Sequence, residues 1–279
     1  MSAWKIAGVQ MDCGLGANEA NLAAIRARLR EAAAQGARLV VFPECILSGY
    51  CFANKDEAWP HAEPIPGPST RVLADDCREL DLYAAVGMLE ARPADGALFN
   101  ACALIGPKGV AATYRKIHLP FLGVDRFTTP GDRPFAVHDL GGLRVGITIC
   151  YDGSFPESAR CLTMLGADLV ILPTNWPTGA RPTANILIPA RALENHIYYA
   201  AVNRVGSERS FAFIGLSRIL DCQGNFLAKS DDDRPCILYA DIDPERARQK
   251  RLVHIPGEYE LDRVADRRPQ MYEPIVRPK

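Results

Sequence analysis

Apolar positions along the chain fall into two alternating patterns: short continuous or period-two runs, and longer stretches with helical spacing. Residues 4–10 read as a strand. Residues 18–35 read as a helix, because Leu22, Ile25, Leu29 and Ala32 recur at helical spacing, Asn18 can cap the start and Gly36 ends it. A short buried strand follows at 38–42. Residues 69–80 form a second helix, with Ser69 as its cap and Val72, Leu73, Cys77 and Leu80 on one face. Strands are predicted at 83–89, 100–105 and 110–115, the last two joined by a turn at Pro107-Lys108-Gly109.

The second half repeats the alternation. Strands are predicted at 143–150, 168–173 and 198–203, with helices at 157–165 and 181–196 between them. Residues 211–220 and 225–228 read as a hairpin around Asp221-Cys222-Gln223-Gly224, 236–242 as a last strand, and 244–252 as a short basic helix. This order predicts a layered α/β sandwich with mixed sheets. No internal repeat, low-complexity segment or linker divides the sequence, so 1–279 is expected to be one domain. The polar, proline-containing tail from 254 to 279 is expected on a surface or against a partner subunit.

Composition narrows the function. Lys and Arg number 32 against 33 Asp and Glu, a balance that argues against a nucleic-acid or membrane-surface partner. No apolar stretch reaches the roughly 20 residues of a membrane span, and the start lacks a signal-peptide layout, so a cytoplasmic location is expected. The 9 cysteines are odd in number, irregularly spaced and without a CxxC pair, which points away from a disulfide framework or a zinc site. Most are expected to be small buried hydrophobes.

Three reactive side chains each come directly after a β-run: Glu44 after Leu39-Val40-Val41-Phe42-Pro43, Lys116 after 111–115, and Cys150 after 144–149. Sites in layered α/β proteins are built at the carboxyl ends of strands, so a carboxylate, an ammonium and a thiol are expected at one rim. Glu44 can take the thiol proton. Lys116 can favour the thiolate and an oxyanion, and the Tyr151 backbone N–H is a natural second oxyanion donor. Taken singly each has an ordinary reading: a buried core cysteine, a loop carboxylate, a solvated surface lysine.

Further motifs carry a resemblance. Phe42-Pro43-Glu44 with Leu47 and Gly49-Tyr50, then Tyr114-Arg115-Lys116-Ile117-His118-Leu119, then the Gly146–Asp152 stretch ending Cys150-Tyr151-Asp152, with Phe155-Pro156-Glu157, resemble the nitrilase, or carbon–nitrogen hydrolase, superfamily. Gly166-Ala167-Asp168, Arg191-Ala192-Leu193-Glu194-Asn195, Asn203-Arg204-Val205-Gly206 and Asp241-Ile242-Asp243 extend it along essentially the whole chain. The resemblance implies a four-layer α-β-β-α sandwich that pairs with another subunit as a homodimer or higher oligomer. It implies a Glu44–Lys116–Cys150 trio working without metal or organic cofactor. Tyr151-Asp152 after the cysteine, where nitrilases commonly carry Trp-Glu, places the chain with the amidase and carbamoylase branches.

One departure concerns a second glutamate that many members place before a Pro-Gly pair. Here Asp125 precedes Pro130-Gly131, either taking that role with a shorter reach or simply pairing with Arg126. Trp176, after the 168–173 strand, and Tyr50, after Glu44, are candidate pocket walls, with core packing as the alternative. His118 would face the same side as Lys116 on an extended chain; with Glu44 available as base, it reads as structural. The expected reaction is cleavage of the C–N bond of a small aliphatic amide or N-carbamoyl compound through a Cys150 thioester, releasing ammonia or an amine. Nitrile hydrolysis or N-acyl transfer at the same site, or a non-catalytic binding role, are the alternatives.

Overall fold

The structure, a computed structural model, describes residues 3–277; the outermost residues of the expected domain and tail lie outside the described residues. Two six-stranded mixed sheets face each other. The first holds β1 (Trp4–Gln10), β2 (Leu39–Val41), β3 (Tyr83–Arg92), β4 (Ala97–Gly106) and β5 (Gly109–Arg115). The second holds β6 (Val137–Asp139), β7 (Arg144–Ile147), β8 (Leu169–Thr174), β9 (Tyr198–Asn203), β10 (Arg218–Leu220) and β11 (Phe226–Lys229). The late strand β12 (Cys236–Ile242) returns to the first sheet, antiparallel to β1, with Trp4 opposite Ile242 and Gln10 opposite Cys236.

The strand order is β12-β1-β2-β3-β4-β5 in one sheet and β6-β7-β8-β9-β10-β11, read from β6, in the other. Both run antiparallel, parallel, parallel, antiparallel, antiparallel. The sequence shows no internal repeat, yet the topology is duplicated: strand order depends on which runs are apolar and where turns fall, not on residue identity.

Helices cover the outer faces. α1 (Asn18–Ala34) and α2 (Pro68–Leu80) bury Ile25, Leu29, Leu73 and Cys77 against Val9, Val40, Ala84 and Val86 of the first sheet. α3 (Pro156–Met164) and α4 (Ile188–Asn195) bury Leu162, Ile188 and Ala192 against the second. The inner faces meet in one core that includes Ile6, Leu39 and Val41 from one sheet and Val145, Leu169 and Val202 from the other. Glycines set two close approaches: a side chain at Gly8 would meet Val202 at 3.0 Å, and one at Gly146 would meet Leu162 at 2.9 Å. No helix among the described residues is long and apolar enough to cross a membrane.

Most elements match the pattern reading, although β3 ends three residues later and β4 starts three residues earlier than expected, and four further differences stand out. β7 stops at Ile147, and Cys150 opens a 3-10 turn, Cys150–Ser154. The expected helix at 181–196 begins as a wider turn, Thr183–Leu187, before α4. The expected strand at 211–220 is two short pieces, Phe211–Ala212 and β10, because Gly215 and Leu216 both adopt positive φ between them. The basic helix is only Pro244–Arg248; Leu252–Ile255 pairs as a small hairpin with Tyr259–Leu261, since β-branched Val253 and Ile255 favour extended chain.

Candidate active site

Glu44 stands three residues past β2, and Gly87 of β3 makes its place. A side chain at Gly87 would lie 2.4 Å from the Pro43 carbonyl oxygen and 2.7 Å from the Glu44 Cα. Lys116 continues β5 by one residue, its N–H donating to the Asn100 carbonyl at 2.8 Å. Gly131 then packs against the same strand end, its N–H bonded to the Lys116 carbonyl at 2.8 Å. Cys150 has a positive φ of 44°, a strained conformation for a side-chain-bearing residue that is typical of reactive positions at strand-to-turn junctions.

These elements bring the acid, base and thiol together at a buried site. Glu44 and Lys116 are fully buried, Asp125 is 4% exposed and Cys150 6%. The Lys116 ammonium donates to Glu44 Oε1 at 2.7 Å and to Asp125 Oδ2. Asn100, on β4, donates to Glu44 Oε1 at 2.7 Å and to Asp125 Oδ1 at 2.9 Å. The Tyr50 hydroxyl donates to Asp125 Oδ2 at 2.8 Å, and the Lys116 ammonium lies 5.9 Å from the Tyr50 ring centre. Glu44 Oε2 is buried without a hydrogen-bond partner, leaving one carboxylate oxygen available as an acceptor.

Electrostatics decide which groups carry charge. Burial alone would pull Lys116 down, but the Asp125 and Glu44 carboxylates outweigh it and hold the ammonium well above its ordinary pKa. Burial, with Asp125 adding to it, raises Glu44 against the opposing effects of Lys116 and Asn100. Burial pushes the Cys150 thiol up to about 12; Glu44 adds to this, while Lys116, Thr174 and the Asn175 backbone act against it. The balance of these effects favours the protonated thiol at rest. Lys116 favours the thiolate as the sequence reading expects, but desolvation and the neighbouring carboxylate outweigh it.

Of the residues singled out in sequence, Glu44, Lys116, Cys150, Asp125 and Tyr50 come together. Asp125 is not bound to Arg126, whose guanidinium instead donates to the backbone carbonyls of Gly123, Phe52 and Ala53. Tyr151 follows the thiol in the 3-10 turn, exposed, with its ring edge-on to Phe155. Trp176 is buried, two residues past Thr174, its backbone N–H donating to Asn203 Oδ1 at 2.7 Å. His118 stacks on Phe155 and shares a 2.7 Å contact with Asp152 through Nδ1.

The sequence pattern does not mark Asn100 as a site residue, and it marks Asp152 only as a branch signature beside Tyr151. Asp152 is fully buried and accepts from Tyr114 OH at 2.7 Å, the Ile149 N–H at 3.0 Å and the His118 N–H at 3.0 Å. It thereby ties the strand end that carries Lys116 to the turn that carries Cys150. The signal for Asn100 was its polarity inside the apolar run Leu98-Phe99-Asn100-Ala101-Cys102, since a buried polar residue needs a partner.

Comparison with known proteins agrees with this geometry. The sequence profile of the carbon-nitrogen hydrolase family matches residues 5–252. A nitrilase of Pyrococcus abyssi is 38% identical over 270 residues, 96% of this chain and 98% of that protein. The omega-amidase of Homo sapiens is 35% identical over 226 residues, 77% of this chain and 80% of that one. In fold, a carbon-nitrogen hydrolase from Helicobacter pylori superposes with a TM-score of 0.87 at 22% identity, covering 99% of both chains. An amidase from Nesterenkonia sp. gives 0.81 at 24%, covering 99% and 97%. In sequence and in fold, over nearly its whole length, the chain belongs to the carbon–nitrogen hydrolase family, within the nitrilase superfamily and on its amidase branch.

Proposed function

We propose that the protein hydrolyses the C–N bond of a small aliphatic amide or N-carbamoyl compound through an acyl-enzyme on Cys150. The observation that carries this reading is the buried cluster of Glu44, Lys116 and Asp125 against a thiol at a strained strand end. Glu44 takes the thiol proton as sulfur attacks the carbonyl carbon. The oxyanion is met by the Lys116 ammonium and the Tyr151 N–H. Glu44 then returns the proton to the departing nitrogen, which leaves as ammonia or amine. Water, deprotonated by Glu44, attacks the thioester; the acid departs and the thiol is restored. Asp125 keeps Lys116 charged and in place, and the Tyr50 hydroxyl holds Asp125. No metal or organic cofactor enters these steps.

The curated relatives include an (R)-stereoselective amidase of a Pseudomonas species, 35% identical over 214 residues. A variant of the Nesterenkonia amidase holds the acetamide moiety of fluoroacetamide covalently on its active-site cysteine, an alkylation that marks that cysteine as a nucleophile. A second reading, nitrile hydrolysis, is favoured by the name of the Pyrococcus abyssi relative. Ammonia release from matched amides, carbamoyl compounds and nitriles, with mass spectrometry of the protein during turnover, separates the two. The expected result is release from an amide or carbamoyl class with an acyl mass on Cys150, and a loss of about four orders of magnitude or more in Cys150→Ala. Turnover that survives Cys150→Ala would overturn the mechanism.

We read residues 1–279 as one catalytic unit that works as a homo-oligomer. Met164, Leu165, Ile186 and Leu193 are 42–69% exposed on or beside α3 and α4, an apolar face suited to a second copy. The exposed tail beyond 254 extends that face. All nine cysteines are free thiols, Cys161 exposed among them, which fits the reducing cytoplasm.

A further inference from the structure

The Asn203-Arg204-Val205-Gly206 segment carries a charge arrangement that the reaction above does not use. Glu208 is 5% exposed and lies between two sets of donors. One carboxylate oxygen, Oε1, sits 2.5 Å from Arg204 Nη1. The other, Oε2, accepts the backbone N–H groups of Tyr50 at 2.9 Å and Cys51 at 2.8 Å. Arg204 is itself fully buried, donating to Asp12 Oδ1 at 2.7 Å and to the Cys13 carbonyl at 2.6 Å. Gly49, at φ +85°, lets this carboxylate approach: a side chain there would meet Glu208 Oε1 at 2.8 Å.

We propose that Glu208 is a positioning residue for the hydrolytic site, holding the Tyr50 backbone so that the Tyr50 hydroxyl stays on Asp125 and Asp125 stays on Lys116. This rests on the hydrolase reading for its link to turnover. Two backbone donors bond Oε2, while the Arg204 guanidinium lies against Oε1 as an ion pair in which neither Arg204 Nη1 nor Glu208 Oε1 completes a hydrogen bond. A glutamine loses the charge opposite Arg204 whichever way it turns, and if its NH2 faces the two N–H groups it breaks both of those bonds as well. Buried donors left without an acceptor are costly, and the segment then shifts to find others. A shift of about 1 Å at Tyr50 passes directly to the Asp125–Lys116 contact, and misplacement of that size costs up to about a hundredfold in rate.

The test is a double-mutant cycle on Glu208→Gln and Tyr50→Phe, read two ways: kcat and KM for the amide substrate, and the rate at which iodoacetamide alkylates Cys150. Glu208→Gln is expected to lower kcat roughly tenfold to a hundredfold with KM little changed, and to alter the alkylation rate. In the Tyr50→Phe background, where the hydroxyl is already gone, Glu208→Gln is expected to cost little more, while its effect on melting temperature persists in full. Additive losses in both rates, or an unchanged kcat per folded molecule, would overturn the proposal, because a purely structural anchor acts on stability alone. If Glu208→Gln does not fold, hydrogen exchange in the unaltered protein still decides: the Tyr50 and Cys51 amides must be strongly protected, and rapid exchange at both refutes the anchor. Alkylation also separates the two readings. A protein whose Cys150 alkylates but which cleaves no amide has lost the hydrolase reading, and the cycle on alkylation rates still tests Glu208.

Discussion

Glu44, Lys116 and Cys150 are legible in the sequence because each follows an apolar run whose end fixes where the side chain stands. Their protonation is not legible, because it depends on burial that only the packed structure reveals. With Glu44 raised above 4.5, the group must lose its proton before it can act as base, so activity falls on the acid side at a pH above the ordinary glutamate range. Lys116 sits well above 10.5 and Cys150 near 12, so no alkaline fall is expected below about pH 10. Asp125→Asn removes a charge that raises Glu44: the acid limb of kcat/KM is expected to move to lower pH while kcat drops by about tenfold or more. An unmoved limb would show that Asp125 does not act on the base.

Glu44→Gln tests the same charges through stability. A carboxyl raised in the folded state favours folding below its unfolded pKa, and that contribution is lost as pH rises through the folded value. The cluster carries two carboxylates against one ammonium, and the variant leaves a neutral Lys116–Asp125 pair. Glu44→Gln is therefore expected to lose roughly a hundredfold to ten-thousandfold in kcat. It should melt higher than the parent at pH 7, with the gap closing below pH 4.5. Calorimetry across that range checks the sign; a variant that melts lower at pH 7 would mean the Glu44–Lys116 pair outweighs its desolvation.

At the scale of elements, the 3-10 turn carrying the thiol is pinned at both ends. Asp152 accepts the Ile149 N–H at its start, and Arg191 of α4 donates to the carbonyls of Gly153 and Ser154 at its finish, at 3.2 and 3.0 Å. Both came into view only as parts of motifs: a carboxylate beside a cysteine gives no sign of which strand it will reach. Asp152 meets donors on both oxygens, so Asp152→Asn is expected to lower kcat about tenfold or more and to lower the melting temperature together. Steady-state kinetics beside a thermal melt checks this, and a variant that loses stability but keeps kcat would reduce Asp152 to packing. Strand ends were misjudged where positive-φ residues interrupt an apolar run, as at Leu216 and Cys150, because side-chain pattern carries no information about φ at non-glycine positions.

At the scale of the whole molecule, periodicity predicted the alternation of layers but not that both sheets share one strand order, nor that the last strand crosses back to the first. The apolar α3–α4 face makes association testable: Met164→Glu with Leu165→Glu is expected to shift the protein to a smaller species in sedimentation while leaving the isolated fold intact. An unchanged sedimentation coefficient would place the contact elsewhere.

The β1–β12 pairing also fixes how the protein responds to a load applied along its chain. Trp4 and Ile242 lie side by side at the same end of that ladder, and the sheet edge is closed by β12 alone. Tension on the two termini, once passed through the tail, reaches the ladder one pair at a time, beginning at Trp4–Ile242 and ending at Gln10–Cys236. The edge therefore peels and does not shear. The last pair is also the best anchored, since Gln10 bonds Ser217, Ser230 and the carbonyls of Asp232 and Arg234 across to the second sheet. A motor that drew the chain in from either end would meet its firmest resistance at Gln10, with all three catalytic strand ends still in place behind it.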